Sequence, residues 1–159
     1  MKKILQDYTI TPNTMILIPA RHLDYRTMVI ETGAVHYVNL SPLDLIKTAC
    51  LQGMSTYDGR RNAIMYLTGF KRKVPIPIIP ALKIFAFPTL SPEQFDCTWI
   101  FPHHIQSIQP TKQNQSNITF QNGQELTLNE SSFVLEKQVQ RTAYCVLQFL
   151  NQVEKIEYV

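Results

Sequence analysis

The chain has 159 residues, of which 45% are hydrophobic and 17% charged, and a formal net charge of +3. That length suits one domain able to bury roughly two-thirds of its unfolded surface, and the composition excludes a disordered tail. The longest apolar runs, such as Met15-Ile16-Leu17-Ile18, fall far short of the about 20 residues of a membrane-crossing helix, and Lys2-Lys3 lead into no apolar signal-type stretch.

In chain order, Met15 to Ile18, Arg26 to Ile30 and Val35 to Leu40 are short β-type runs separated by turn signals, the last two joined as a hairpin across Thr32-Gly33. Ser41-Pro42 supplies an N-cap and a proline at the first helical position. Leu43, Ile46, Ala49 and Cys50 recur at helical spacing until Gly53. A second helix is predicted from Thr56 to Thr68, with Ala63, Ile64 and Leu67 inward and Gly69 as its stop. Two helices around Gly53-Met54-Ser55 have the outline of a helix-turn-helix. Pro75, Pro77 and Pro80 then force an extended, edge-like segment from Val74 to Pro80.

Ile84 to Phe87 and Thr98 to Phe101 read as strands anchored by Phe85, Phe87 and Trp99, with a loop from Thr89 to Asp96 between them. Ile105 to Gln109, Asn117 to Gln121 and Glu125 to Leu128 continue as a meander whose last turn is Asn122-Gly123. A helix from Ser132 to Lys155 closes the chain, with an apolar stripe of Leu135, Val139, Ala143, Val146, Leu150 and Val153 that suits packing along a sheet or against its copy in a dimer, the former being expected. The fold class expected is α+β: a mostly antiparallel sheet with a central helix-turn-helix-like pair and a long C-terminal helix. Residues 1–159 are expected to form a single domain.

Little of this sequence suggests catalysis. The five glycines are scattered, Cys50, Cys97 and Cys145 are widely spaced, and neither a nucleophile elbow nor a metal-ligand spacing is present. The three cysteines are expected as buried thiols of a reducing compartment, and His36 as a satisfied structural histidine. No enzyme activity, metal or cofactor is expected.

The charge is instead localised. Between Ser55 and Lys83, six cations (Arg60, Arg61, Lys71, Arg72, Lys73, Lys83) face only Asp58, giving +5 and leaving −2 for the rest of the chain. With Ser55, Thr56, Tyr57 and Asn62 as hydrogen-bonding neighbours, this is the footprint of a surface that docks on phosphates. Arg60 and Arg61 are expected to read a groove, at little cost to stability if removed. Lys71, Arg72 and Lys73, on a flexible loop, are expected on the phosphate backbone. The candidate DNA-binding residues are therefore Ser55, Thr56, Tyr57, Arg60, Arg61, Lys71, Arg72, Lys73 and Lys83.

Several blocks carry a family resemblance: Tyr37-Val38-Asn39, Pro42-Leu43, and Ser55-Thr56-Tyr57-Asp58-Gly59-Arg60-Arg61 in the first half. Ile84-Phe85-Ala86-Phe87-Pro88-Thr89-Leu90-Ser91, Cys97-Thr98-Trp99-Ile100, Thr119 to Gly123, Ser132-Phe133 and Gln138 to Ala143 follow in the same order. Over about residues 35 to 149 the chain resembles the ComK family of bacterial competence transcription factors. The resemblance implies a DNA-binding activator of paired A·T-rich boxes, acting largely through the minor groove as a homodimer or tetramer. Also implied are partnership with RNA polymerase, turnover through a Clp protease adaptor, and a cytoplasmic, nucleoid-associated location. Ser55, Tyr57, Gly59 and Arg60 match the family block by position. The stretch Phe70 to Val74 is more basic than its family counterpart, and longer members continue past the final helix into a charged extension. The competing expectation is a protein-interaction domain that forms mixed oligomers without touching DNA.

Overall fold

A computed structural model describes residues 2–157 of the chain. It begins with a two-residue strand, β1 (Ile4–Leu5), followed by β2 (Thr14–Pro19), β3 (Thr27–Glu31) and β4 (Ala34–Val38). Gly33, at φ +83°, makes the tight β3–β4 turn that a side chain would strain. The helices α1 (Pro42–Gln52) and α2 (Tyr57–Thr68) come next, then the edge strand β5 (Ile76–Ile79), β6 (Ile84–Pro88) and β7 (Trp99–Ile100). The meander β8 (Ile105–Pro110), β9 (Ser116–Phe120) and β10 (Glu125–Leu128) leads into α3 (Ser132–Glu157).

The strands form a seven-stranded sheet in the order β1-β4-β3-β2-β7-β6-β5 and a three-stranded sheet in the order β10-β9-β8. Every pairing is antiparallel except β1 with β4, where Ile4 faces Tyr37. The architecture is the expected α+β one. β1 went unpredicted because two residues show no alternation to read.

Residue alternation splits the core between the faces of the large sheet. Leu17, Val29, Trp99 and Phe101 pack with Leu45, Ile46 and Cys50 of α1, Tyr57 and Ile64 of α2, and Cys145 of α3. Ile16, Ile30 and Ile100 pack instead with Ile108, Ile118 and Phe120 of the small sheet and Leu135 of α3. Each fully buried Leu, Ile or Phe contributes about 1.5–3 kcal/mol relative to an exposed one. Trp99, wholly buried, is the largest of them.

Local chemistry sets the helix ends. The Ser41 hydroxyl accepts from the Asp44 N–H at 3.1 Å, and the Thr56 hydroxyl from the Gly59 N–H at 3.0 Å. Gly69 ends α2 in the left-handed conformation, φ +80°. The inward face of α2, however, is Tyr57, Arg60 and Ile64, and Ala63 is exposed.

α3 departs from its expected register. Its buried positions are Leu135, Gln138, Thr142 and Cys145, while Ala143 is exposed and Val139, Val146, Leu150 and Val153 are only partly covered. The helix packs against β6, β8 and α2, and two of its most buried side chains are polar because backbone carbonyls meet them there. Apolar periodicity cannot reveal a face built on hydrogen bonds.

The three thiols are buried as expected. Burial pushes Cys145 up to about 12 and Cys97 to about 11, and raises Cys50, so none is an ordinary reactive thiolate. His36 is satisfied through Nε2 by Glu31 at 2.8 Å, and the other Glu31 oxygen accepts from Tyr8 at 2.6 Å. Burial acts to raise the Glu31 carboxyl, but these two partners outweigh it and leave the group below its ordinary value.

Candidate nucleic-acid interface

Arg60 and Arg61 are neighbours on a helix that turns about 100° per residue, so they point in different directions. Arg60 points inward and is only 8% exposed. One of its terminal nitrogens donates to the carbonyls of Pro77 at 2.8 Å and Ile78 at 3.0 Å, the other to Gly53 at 3.3 Å. This guanidinium ties the α1–α2 corner to the sheet's edge strand. The groove-reading role expected of Arg60 does not fit that placement, because its charge is already committed to three backbone carbonyls. Tyr57 is likewise buried, its ring edge-on to Trp99 with centroids 6.4 Å apart, and burial pushes its phenol up to about 12. Ser55 is half-buried and Thr56 is occupied as the α2 cap.

The exposed face of α2 carries Asp58, Asn62, Ala63 and Tyr66, with no fully exposed cation. A helix laid into a groove by positive charge is therefore a poor description of this corner. The charge projects from the segment after it. Half-buried Arg61 donates to the Lys71 carbonyl at 3.3 Å, bringing α2 against the run Lys71-Arg72-Lys73. Lys83 lies beyond the far end of β5 from Lys73, so it is not part of this cluster.

Nor is the basic run a flexible loop. From α3, Gln138 donates to the carbonyls of Lys73 at 3.0 Å and Pro88 at 2.8 Å. Arg141 donates to the carbonyls of Arg72 at 2.7 Å and Lys73 at 3.2 Å, and also to the Gln138 side-chain oxygen. Its guanidinium stacks 4.3 Å from the centre of the Phe70 ring. Lys73 itself sits at φ +46°, a conformation that costs a non-glycine residue about 1–3 kcal/mol unless its surroundings enforce it. The two α3 side chains on its carbonyl provide that enforcement.

The run forms a ridge between two recesses. The one on the α2 side, about 600 Å³, is lined by Arg61, Lys71, Arg72 and Lys73 but also by Asp58 and Glu93. The one on the α3 side, about 650 Å³, is lined by Lys71, Arg72, Lys73, Lys137 and Arg141 with no carboxylate. Of the two recesses, only the one towards α3 has no carboxylate to offset its cations. Lys137 and Arg141 escaped the sequence reading because Arg141 is 68 and 69 residues from the carbonyls it holds.

The family model for the ComK protein matches residues 5–154. The chain belongs to the ComK family. It is also 32% identical over 152 residues to the competence transcription factor of Bacillus subtilis (strain 168), a match covering 94% of this chain and 79% of that relative. No solved structure matches it. The ComK family model spans both the Ser55–Arg61 block and the α3 residues that clamp the basic ridge. No helix among the described residues is long and apolar enough to cross a membrane.

Proposed function

We propose that this ComK-family chain is a sequence-selective DNA-binding transcription factor of the competence-activator type. It takes paired A·T-rich boxes through the minor groove, as a homodimer or tetramer, and works with RNA polymerase under the control of a Clp protease adaptor. The observation that carries the reading is the ridge Lys71-Arg72-Lys73, fixed by Gln138 and Arg141 beside a recess lined by five cations and no carboxylate. A ridge whose backbone is already held loses little loop freedom on docking, and the narrow minor groove of A·T tracts offers the enhanced negative potential that attracts Lys and Arg. Lys71, Arg72, Lys73 and Lys137 contact phosphates, and Arg61, at the junction of α2 and the ridge, is the side chain placed to read the groove. Arg60, whose guanidinium already donates to three backbone carbonyls, is assigned to holding the α1–α2 corner rather than to DNA contact.

Arg61→Ala tests the assignment. It is expected to weaken binding to an A·T-box duplex by about 1–3 kcal/mol and binding to a G·C-rich duplex by clearly less. Equal losses on both duplexes in fluorescence anisotropy reduce Arg61 to a phosphate contact.

A further inference from the structure

We propose that Phe133 is a wedge that enters a base step of the duplex and bends it, an inference that rests on the DNA reading above. Phe133 is the second residue of α3 and 75% exposed. An exposed phenylalanine on its own means little. This one stands on the wall of the recess whose other lining residues include Lys71, Arg72, Lys73, Lys137 and Arg141. Lys71, Arg72, Lys73 and Lys137, with Arg141 at the base of the ridge, line the same recess as the uncovered ring and make it a poor seat for an apolar protein partner. They do suit a polyanion that presents flat π-faces between its charges, and nucleic acid is such a ligand.

The mounting is rigid. The Ser131 hydroxyl accepts from the Val134 N–H at 3.3 Å, the Ser131 carbonyl from the Leu135 N–H at 3.1 Å, and Leu135 is wholly buried two residues beyond Phe133. No carboxylate lines the recess or sits in the first turn of α3; the nearest on the helix is exposed Glu136, one turn on from Phe133. With the ridge cations on the backbone, the ring is held out towards the bases from a fixed platform. Minor-groove proteins use apolar side chains in this way, partly unstacking a step and kinking the duplex by about 20–90°. Pyrimidine–purine steps such as TA unstack most easily, so a wedge adds preference for A·T boxes without a base-edge hydrogen bond.

The test uses an A·T-box duplex with 2-aminopurine at its TA step and a donor–acceptor dye pair at its ends. The wild-type chain is expected to bend the duplex and raise the 2-aminopurine fluorescence. Phe133→Ala is expected to bind roughly tenfold more weakly, the scale of one lost stacking contact, with bend and fluorescence rise both gone. The slope of log K against log salt stays as in the wild type, because no phosphate contact is lost, and the urea midpoint stays because the ring is exposed. Phe133→Leu, still an apolar wedge, retains most of the bend. The proposal is overturned if Phe133→Ala keeps affinity and bend while the wild type binds, which leaves the DNA reading standing. It is also overturned if the recess instead binds a polyglutamate peptide in a Phe133-dependent manner. Absence of wild-type binding to any duplex removes the wedge and the DNA reading together.

Discussion

Arg60→Ala is expected to lower the unfolding free energy by about 3 kcal/mol, a large loss for a residue that reads from sequence as a surface cation. The guanidinium is the hydrogen-bond donor for Pro77, Ile78 and Gly53 carbonyls and is nearly removed from solvent. Hydrogen bonds to charged groups contribute about 1.5–3 kcal/mol, and a buried acceptor left unpaired costs about 1–3 kcal/mol more. Partial relaxation and water entry set the net loss near the lower end of that range. Gly53 belongs to the same device. Its φ of −89° is open to any residue, yet a Cβ there comes to 2.3 Å from an Arg60 terminal nitrogen. Gly53→Ala is therefore also expected to destabilise, although at a negative φ such a change ordinarily stabilises by restricting the unfolded chain. Urea unfolding followed by circular dichroism checks both variants. A loss below about 1 kcal/mol for Arg60→Ala shows that the clamp is not what holds the corner against β5.

Replacing Lys71, Arg72 and Lys73 together by glutamine is expected to produce the largest binding defect. If each contacts one phosphate, the slope of log K against log salt becomes shallower by about three. At about 0.1 M salt that corresponds to a few-hundredfold loss on every duplex, on the order of 3–4 kcal/mol. Gln138→Leu is the informative partner variant, since it removes no charge. It leaves the Pro88 carbonyl without this donor and loosens the left-handed backbone at Lys73. Affinity is expected to fall while the salt slope is nearly retained, with a stability loss of about 2 kcal/mol. An unchanged slope in the triple variant marks the ridge as an ordinary solvated surface.

Much of the fold was legible because local chemistry and global structure agree at the punctuation points. Ser41-Pro42 and Thr56 do begin helices, Gly69 does end one, the proline-rich segment is the sheet's edge, and Asn122-Gly123 turns β9 into β10. The chemistry around the candidate interface was harder to read. Adjacent arginines are equivalent in a charge count, but only Arg61 is left near the surface, because Arg60 falls on the face with Tyr57 and Ile64. Apolar spacing likewise placed Ala143 in the α3 stripe, whereas Gln138 and Thr142 are buried against carbonyls. Lys137 and Arg141 meet the ridge through tertiary packing alone, which one sequence does not encode in its spacing.

The most direct test of DNA binding by this ComK-family chain is a salt titration of the wild-type protein against two duplexes of equal length. One carries two A·T boxes and the other is G·C-rich. A steep linear fall of log K with log salt is expected on both, from the phosphate contacts of the ridge, with a clear preference for the A·T duplex at every salt concentration. No binding to either duplex at low salt contradicts that expectation, and points to a domain that acts by pairing with other proteins.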